Sequence, residues 1–123
     1  MTKQVFTNLE LSDLAIKGLQ EVKAKGIVRL DLIELEAAVT DYFIIATGTS
    51  DRHVQALANS VMDVMKEEAE EHTYSKEGLD KGEWVVLDYA SVVIHIFQSQ
   101  KRDFYRLESL WGDAEVERFE DVG

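Results

Sequence analysis

Several residue types are missing from this chain of 123 residues, and each absence excludes a class of protein. There is no cysteine, so disulfides, thiolate metal sites and cysteine nucleophiles are excluded. There is no proline either, so no proline-rich linker divides the chain. No apolar run approaches the ~20 residues that span a bilayer, and residues 1–11 lack the pattern of a signal peptide. We therefore expect a cytoplasmic protein without a membrane partner.

Basic residues are scarce, and this scarcity limits the kinds of partner. The chain has 13 Lys and Arg against 24 Asp and Glu, a net charge of −11. Because affinity for nucleic acid comes mainly from clustered Lys and Arg, we expect little direct nucleic-acid binding. An acidic surface suits a basic protein partner. For most of these carboxylates, however, a role in solubility is a sufficient explanation.

Apolar periodicity in the first part of the chain predicts a helix and two strands. The segment Thr7–Glu10 has the spacing of a capping box. Apolar residues then recur at helical intervals, and Gly26 is the predicted stop. Residues 28–32 alternate as in a strand with one solvated face, whereas residues 42–46 are apolar throughout, as in a buried central strand.

The second part predicts another helix, a hairpin and a last helix. Ser50 or Thr49 can cap the second helix, and its apolar stripe consists of Val54, Leu57, Ala58, Val61, Val64 and Met65. A polar loop follows, with a short edge strand near Tyr74. Residues 83–87 and 92–97 predict an antiparallel hairpin, and residues 99–112 predict a final helix.

The order of these elements predicts an α/β fold. It runs helix, strand, strand, helix, strand, strand, helix. Because strands cannot bury both faces alone, we predict a mixed β-sheet sandwiched by helices. Residues 1–112 form a single domain in this prediction, and residues 113–123 form an acidic flexible tail.

The turn at residues 48–53 is a candidate anion-binding site. It lies between a predicted strand and a predicted helix, where free amides and the helix dipole favour an anion. The candidate residues are Thr49, Ser50, Arg52 and His53. The turn lacks the glycine spacing of phosphate-binding fingerprints, so we favour the alternative, a capped tight turn.

No constellation for catalysis or metal binding is apparent. Two-metal phosphoryl transfer needs several converging carboxylates, and no acid pair follows the turn on a neighbouring strand. The three histidines do not have metal-ligand spacing. We therefore predict a protein that is not an enzyme, with no cofactor, no metal and no catalytic residues.

Trp84 is the residue with the clearest binding potential. It follows a polar loop that contains glycines, at the start of a predicted strand. A tryptophan at this place is either a core residue or an anchor for a protein partner, and the sequence leaves both interpretations open. Leu79 supports the anchor interpretation because it is a lone apolar residue among charged ones.

Three segments resemble the ribosomal silencing factor (Iojap-like) family. They are Asp41–Ser50 with Arg52–Val54, then Glu77-Gly78 with Trp84–Tyr89 and Val92–Phe97, and last Arg102, Tyr105 and Leu107–Trp111. Together the resemblance covers about residues 9–112. Ala90-Ser91 departs from the family, which usually has Gly-Asp there, and this weakens any role assigned to that aspartate.

This resemblance implies a fold similar to that of nucleotidyltransferases, without transferase activity. Family members bind large-subunit ribosomal protein fourteen, which sterically prevents the subunits from joining and represses translation. They also form homodimers in crystals. The implied binding surface comprises Trp84, Leu79, Gly78, Glu77, Asp80, Glu83 and Asp88. The alternatives are a nucleotide-binding or degenerate nucleotidyltransferase-like protein that uses the turn at residues 48–53, and a dimeric adaptor.

Overall fold

A computed structural model describes residues 6–35, 40–99 and 114–122 of the chain. Within them are helices α1 (Asn8–Glu21) and α2 (Asp51–Ala69). The strands are β1 (Lys25–Asp31), β2 (Tyr42–Gly48), β3 (Ser75–Glu77), β4 (Trp84–Asp88), β5 (Val92–Gln98) and β6 (Glu115–Arg118). The final helix that the sequence predicts lies outside the described residues, apart from Ser99.

The strands form one mixed sheet in the order β3-β4-β5-β2-β1-β6. Strands β2 and β5 are parallel, and all other neighbours are antiparallel. The mixed α/β class is thereby confirmed, as are the β4–β5 hairpin and the short edge strand after Tyr74. The parallel pair at the centre is buried because β2 and β5 carry nearly continuous apolar runs.

Both described helices pack against the same face of the sheet. The predicted apolar stripe of α2 is buried there, against residues of β2, β4 and β5 and against α1. A second apolar cluster lies on the opposite face and consists of Val28, Leu30, Leu32, Ile45 and Phe97. Alternate residues of β1, β2, β4 and β5 therefore contribute to two separate apolar layers.

Helix α1 begins where the sequence predicts but ends earlier. The capping box is confirmed, because the amide of Glu10 donates to Thr7 Oγ1 over 3.1 Å and the amide of Thr7 donates to Glu10 Oε1 over 2.9 Å. The predicted stop at Gly26 was wrong, because α1 ends at Glu21 and Lys23 adopts the left-handed conformation with φ 60°. Lysine can occupy this position at modest cost, and Gly26 instead accompanies an irregularity in the β1–β2 register.

Strand β1 differs from its prediction at Arg29, which was expected on a solvated face and is buried. Arg29 is only 9% exposed. Its guanidinium bonds to Asp13 and Glu117, and these carboxylates compensate the buried charge.

The C-terminal segment differs from the predicted flexible tail. Residues 115–118 form β6, which pairs antiparallel with β1. The amide of Phe119 donates to the carbonyl of Ile27 over 3.0 Å, and Asp121 Oδ1 accepts from the amide of Gly26 over 2.9 Å. The alternation of acids with Val116 is thus that of an edge strand, whose side chains are exposed although its backbone is paired.

Candidate functional site

Four rings gather on the face of the sheet that faces away from α1 and α2. This aromatic cluster consists of Phe43, Trp84, His95 and Phe97. The rings of Phe43 and His95 stack with centroids 4.4 Å apart, and those of Trp84 and Phe97 stack at 5.0 Å. The cluster forms because β4, β5 and β2 are neighbours and each directs alternate side chains to this face.

Trp84 is bound to His95 by a hydrogen bond. The indole Nε1–H donates to His95 Nδ1 over 2.8 Å. Burial lowers the pKa of His95 from 6.5 to about 4, because an imidazolium ion loses its hydration there. The ring is therefore neutral at physiological pH, and Nδ1 is free of a proton and accepts.

Trp84 contributes to an apolar cluster without being fully buried, so the structure leaves both interpretations of its role open. It packs against the apolar cluster around Ile45 and Phe97, yet it is only partly buried. Its partial burial and its hydrogen bond are typical of a tryptophan whose ring is apolar and whose N–H has a partner.

The loop before β4 needs glycine at two positions. Gly78 has φ 83°, and a Cβ there would lie 2.0 Å from the carbonyl oxygen of Trp84. Gly82 has φ 67°, and a Cβ there would lie 2.5 Å from the carbonyl oxygen of Asp51. No other residue type fits these conformations and approaches without rearrangement. The loop therefore lies tightly between Trp84 and the start of α2.

Gln55 of α2 also holds this loop, and sequence reasoning missed it. Its Nε2 donates to the carbonyl of Leu79 over 2.8 Å and to that of Asp80 over 3.2 Å. The contact joins residues 24 and 25 positions apart, so no local pattern indicates it. In the sequence, Gln55 looks like any other polar residue on the solvated side of α2, so its contact with the loop could not be predicted.

The residues predicted around Trp84 do not all lie on one surface. Glu77, Asp80 and Glu83 are exposed, and Glu77 pairs with Val86 and so shares the face of Trp84. Leu79 instead packs against the core on the helix side. The prediction that Leu79 and Trp84 form one apolar anchor is therefore not supported, because the loop turns between the two faces.

Asp88 has a structural contact of its own. Its Oδ1 accepts from the amide of Ala90 over 2.7 Å, which closes the β4–β5 turn in the manner of an Asx turn. The side chain is partly buried and shares the face of Trp84 at the other end of β4.

The turn at residues 48–53 is closed by its own side chains. Ser50 Oγ caps α2 by accepting from the amide of His53 over 3.0 Å, as predicted. The amide of Thr49 donates to His53 Nδ1 over 2.9 Å, so Nδ1 carries no proton. The other ring nitrogen, Nε2, lies 2.6 Å from the carbonyl oxygen of Val22 and donates to it. His53 thus connects the turn with the end of α1.

These contacts leave little for an anion. The amide of Arg52 donates to Asp51 Oδ1 over 2.8 Å, so the amides of residues 49, 52 and 53 are all occupied within the chain. Asp51 also adds negative charge where an anion would approach. The geometry therefore supports the capped tight turn and gives the anion-binding prediction for Thr49, Ser50, Arg52 and His53 no support.

The described ranges contain neither a metal-binding group nor a membrane-spanning helix. Among residues 6–35, 40–99 and 114–122, no group of three or more His, Asp or Glu side chains is arranged to hold a metal ion. Within the same ranges, neither helix is long and apolar enough to cross a membrane.

Comparison with known proteins agrees with the fold and with the motifs. Residues 6–123 match the family described as "Ribosomal silencing factor during starvation". The ribosomal silencing factor of Chromobacterium violaceum is 44% identical over 103 residues, which make up 84% of this chain and 83% of that protein. The ribosomal silencing factor of Halalkalibacterium halodurans is 35% identical over 117 residues, or 95% of this chain and 98% of that protein.

A solved structure gives the same result. A crystal structure of a Chromobacterium violaceum protein superposes with a TM-score of 0.82 at 42% sequence identity, covering 87% of this chain and 88% of that one. Sequence and fold agree over most of the chain, and the chain therefore belongs to the ribosomal silencing factor family.

Proposed function

We propose that this protein represses translation in the cytoplasm by binding the large ribosomal subunit and keeping the small subunit from joining it. The observation that carries the proposal is the family match over residues 6–123, which includes every described helix and strand. The relatives at 44% and 35% identity are named ribosomal silencing factors, a name that denotes inhibition and no reaction. The protein acts by occupying a surface and needs neither cofactor nor turnover.

The partner that the family resemblance implies is large-subunit ribosomal protein fourteen. We assign the docking surface to Trp84, Gly78 and the surrounding carboxylates of Glu77, Asp80, Glu83 and Asp88. Binding energy in protein interfaces concentrates in a few partly desolvated aromatic and arginine anchors. Trp84 fits this role because its ring stacks on Phe97, its N–H is bound by His95, and the residue is only partly buried.

The surrounding charges suit a basic partner. Glu77, Asp80 and Glu83 are exposed within a chain of net charge −11. Rim charges of this kind mainly raise the association rate and select among partners, while the anchor supplies the affinity. A bound domain of 14.0 kDa would occupy space that the small subunit needs, so steric exclusion explains the inhibition.

Sedimentation of ribosomal subunits tests this function. Purified small and large subunits are mixed under conditions in which they join, with the protein in excess. We expect separate subunits, with the protein in the large-subunit fraction, and joined subunits again with Trp84→Ala. Glu67→Lys, an exposed substitution on α2 away from the docking surface, serves as the control and should act like the wild type. Joined subunits in the presence of bound wild-type protein would refute the mechanism.

The alternatives from the sequence have weaker support. A nucleotide-binding function would use the turn at residues 48–53, where the amides of residues 49, 52 and 53 are occupied within the chain. Homodimer formation stays a prediction, which light scattering of the free protein tests.

A further inference from the structure

His95 occupies an unusual place for a histidine. It lies in the middle of β5, is 9% exposed, and stacks on Phe43 with a centroid separation of 4.4 Å and an angle of 23° between the ring planes. Its strand partner is Val86, and the strand partner of Phe97 is Trp84. Trp84 and His95 are therefore diagonal neighbours on one face, within reach of each other's long side chains.

The described contacts give His95 one polar function. Its Nδ1 accepts the indole N–H of Trp84 over 2.8 Å, whereas the ring faces meet Phe43 and Phe97. An apolar ring such as phenylalanine at position 95 would keep a stack with Phe43. It could not accept the indole N–H, which is a donor only and is seldom left without a partner when it is removed from water.

We propose that His95 is a positioning residue for the ribosomal partner: its Nδ1 accepts from the indole N–H of Trp84 and so fixes the orientation in which this partly buried ring meets the partner. This inference rests on the docking surface proposed above. Stacking on Phe97 defines the plane of the indole, and a half-turn about χ2 would return a stacked ring with its N–H pointing elsewhere. The hydrogen bond selects one of these two states.

The gain from this selection is preorganisation. An anchor that already has its bound conformation loses less conformational freedom on binding, so more of the contact energy appears as affinity. The effect is indirect, because His95 is buried and Trp84 provides the contact.

Two substitutions at position 95 separate the hydrogen bond from the packing. His95→Phe keeps a ring for the stack and removes the acceptor. His95→Asn loses the stack but places Oδ1 near the position of Nδ1, so it restores the acceptor. His72→Asn is the matched control, because His72 is exposed and lies outside the aromatic cluster.

The first measurement is the NMR signal of the indole N–H of Trp84, assigned by its disappearance in Trp84→Phe. The second is a titration of purified large ribosomal subunits. For His95→Phe we expect indole exchange with solvent at least ~10-fold faster and binding weaker by about 10-fold. His95→Asn should recover most of both losses, and His72→Asn should change neither.

A double substitution gives a test that does not depend on the stability of one variant. In the Trp84→Phe background the donor is absent, so His95→Phe should have no further effect on affinity. The same ~10-fold loss in both backgrounds would overturn the proposal, because His95 would then act on binding without the indole.

The outcomes also separate this inference from the proposed function. Wild-type affinity in a folded His95→Phe variant, or unchanged indole exchange, overturns the positioning role and leaves the docking surface intact. If the wild-type protein does not bind large subunits at all, the proposed function fails and the positioning role fails with it.

Discussion

The guanidinium of Arg29 in β1 donates from Nη2 to Glu117 Oε1 in β6 over 2.6 Å. From Nη1 it also donates to Ser12 and Asp13 of α1, and its Cζ lies 5.3 Å from the ring centroid of Phe119. The Arg29 side chain is 10% exposed. One buried cation therefore connects the first helix, the adjacent strand and the last strand.

Substitution of Arg29 should loosen this connection. We expect Arg29→Met to lower the free energy of unfolding by about 1–3 kcal/mol, less than for a fully buried pair because Asp13 and Glu117 stay largely hydrated. Urea denaturation measures the change, and hydrogen exchange should show faster opening of residues 115–118. Lys17→Met is the control, because it breaks an exposed ion pair with Glu68 and should alter stability little. Equal effects of the two substitutions would contradict the role given to Arg29.

Substitution of Ala90 by glycine should stabilise the protein. It has φ 69°, a left-handed conformation that is unfavourable for any residue with a Cβ. We expect Ala90→Gly to raise the free energy of unfolding by about 0.5–1 kcal/mol, because relief of strain exceeds the added entropy of the unfolded chain. Ala56→Gly, the same change at an exposed helical position of α2, should lower it by about 1 kcal/mol. Effects of the same sign in thermal or urea unfolding would contradict this interpretation.

His95 should make stability depend on pH. Its pKa is lowered to about 4 in the folded chain from 6.5 in the unfolded chain. Between these values the unfolded chain binds a proton that the folded chain does not, so stability falls as the pH falls through this window. From about pH 7.5 to about pH 5 we expect a loss of about 2 kcal/mol from this residue alone.

Comparison with His95→Asn isolates the effect from that of the many carboxylates. The rings that face His95, those of Phe43, Trp84 and Phe97, do not titrate in this range. Urea unfolding at the two pH values should therefore show a larger loss in the wild type than in the variant. Equal losses of unfolding free energy in the two proteins would mean that His95 becomes protonated in the folded chain.

Gln55 should control the loop before β4. Gln55→Ala removes both bonds to the carbonyls of Leu79 and Asp80. We expect stability to fall by about 1–2 kcal/mol and the amides of residues 78–82 to exchange faster. Asn59→Ala, one turn further along α2 and exposed, is the matched control. Equal exchange rates in the two variants would show that Gln55 does not hold the loop.

The sequence predicts elements well where burial follows a local period. The apolar stripe of α2, the apolar run of β2 and the two strands of the β4–β5 hairpin each have a local pattern that is compatible with a single type of element. Strand β6 does not, because the alternation of residues 115–118 is dominated by acids and resembles a solvated tail. Only its partner across the sheet, with Arg29 opposite Glu117, makes it a strand.

The candidate site also has some features that the sequence reveals and others that only the fold reveals. Trp84 and the glycines of its loop are visible in the sequence because their residue types are rare and have few structural explanations. The bond from Trp84 to His95 and the contacts of Gln55 depend on which strands and helices are neighbours. Leu79 shows the limit most clearly, because it is five residues from Trp84 but packs on the other side of the sheet.

The most direct test of the proposed docking surface is a titration of purified large-subunit ribosomal protein fourteen with the wild type, Trp84→Ala and Trp84→Phe. Circular dichroism first establishes that each variant is folded, since Trp84 also contributes to packing. We predict that Trp84→Ala weakens binding by at least roughly 2 kcal/mol, about 30-fold, with Trp84→Phe intermediate and Glu67→Lys unchanged. Wild-type affinity in folded Trp84→Ala would contradict the central claim that this indole anchors the protein to the ribosome.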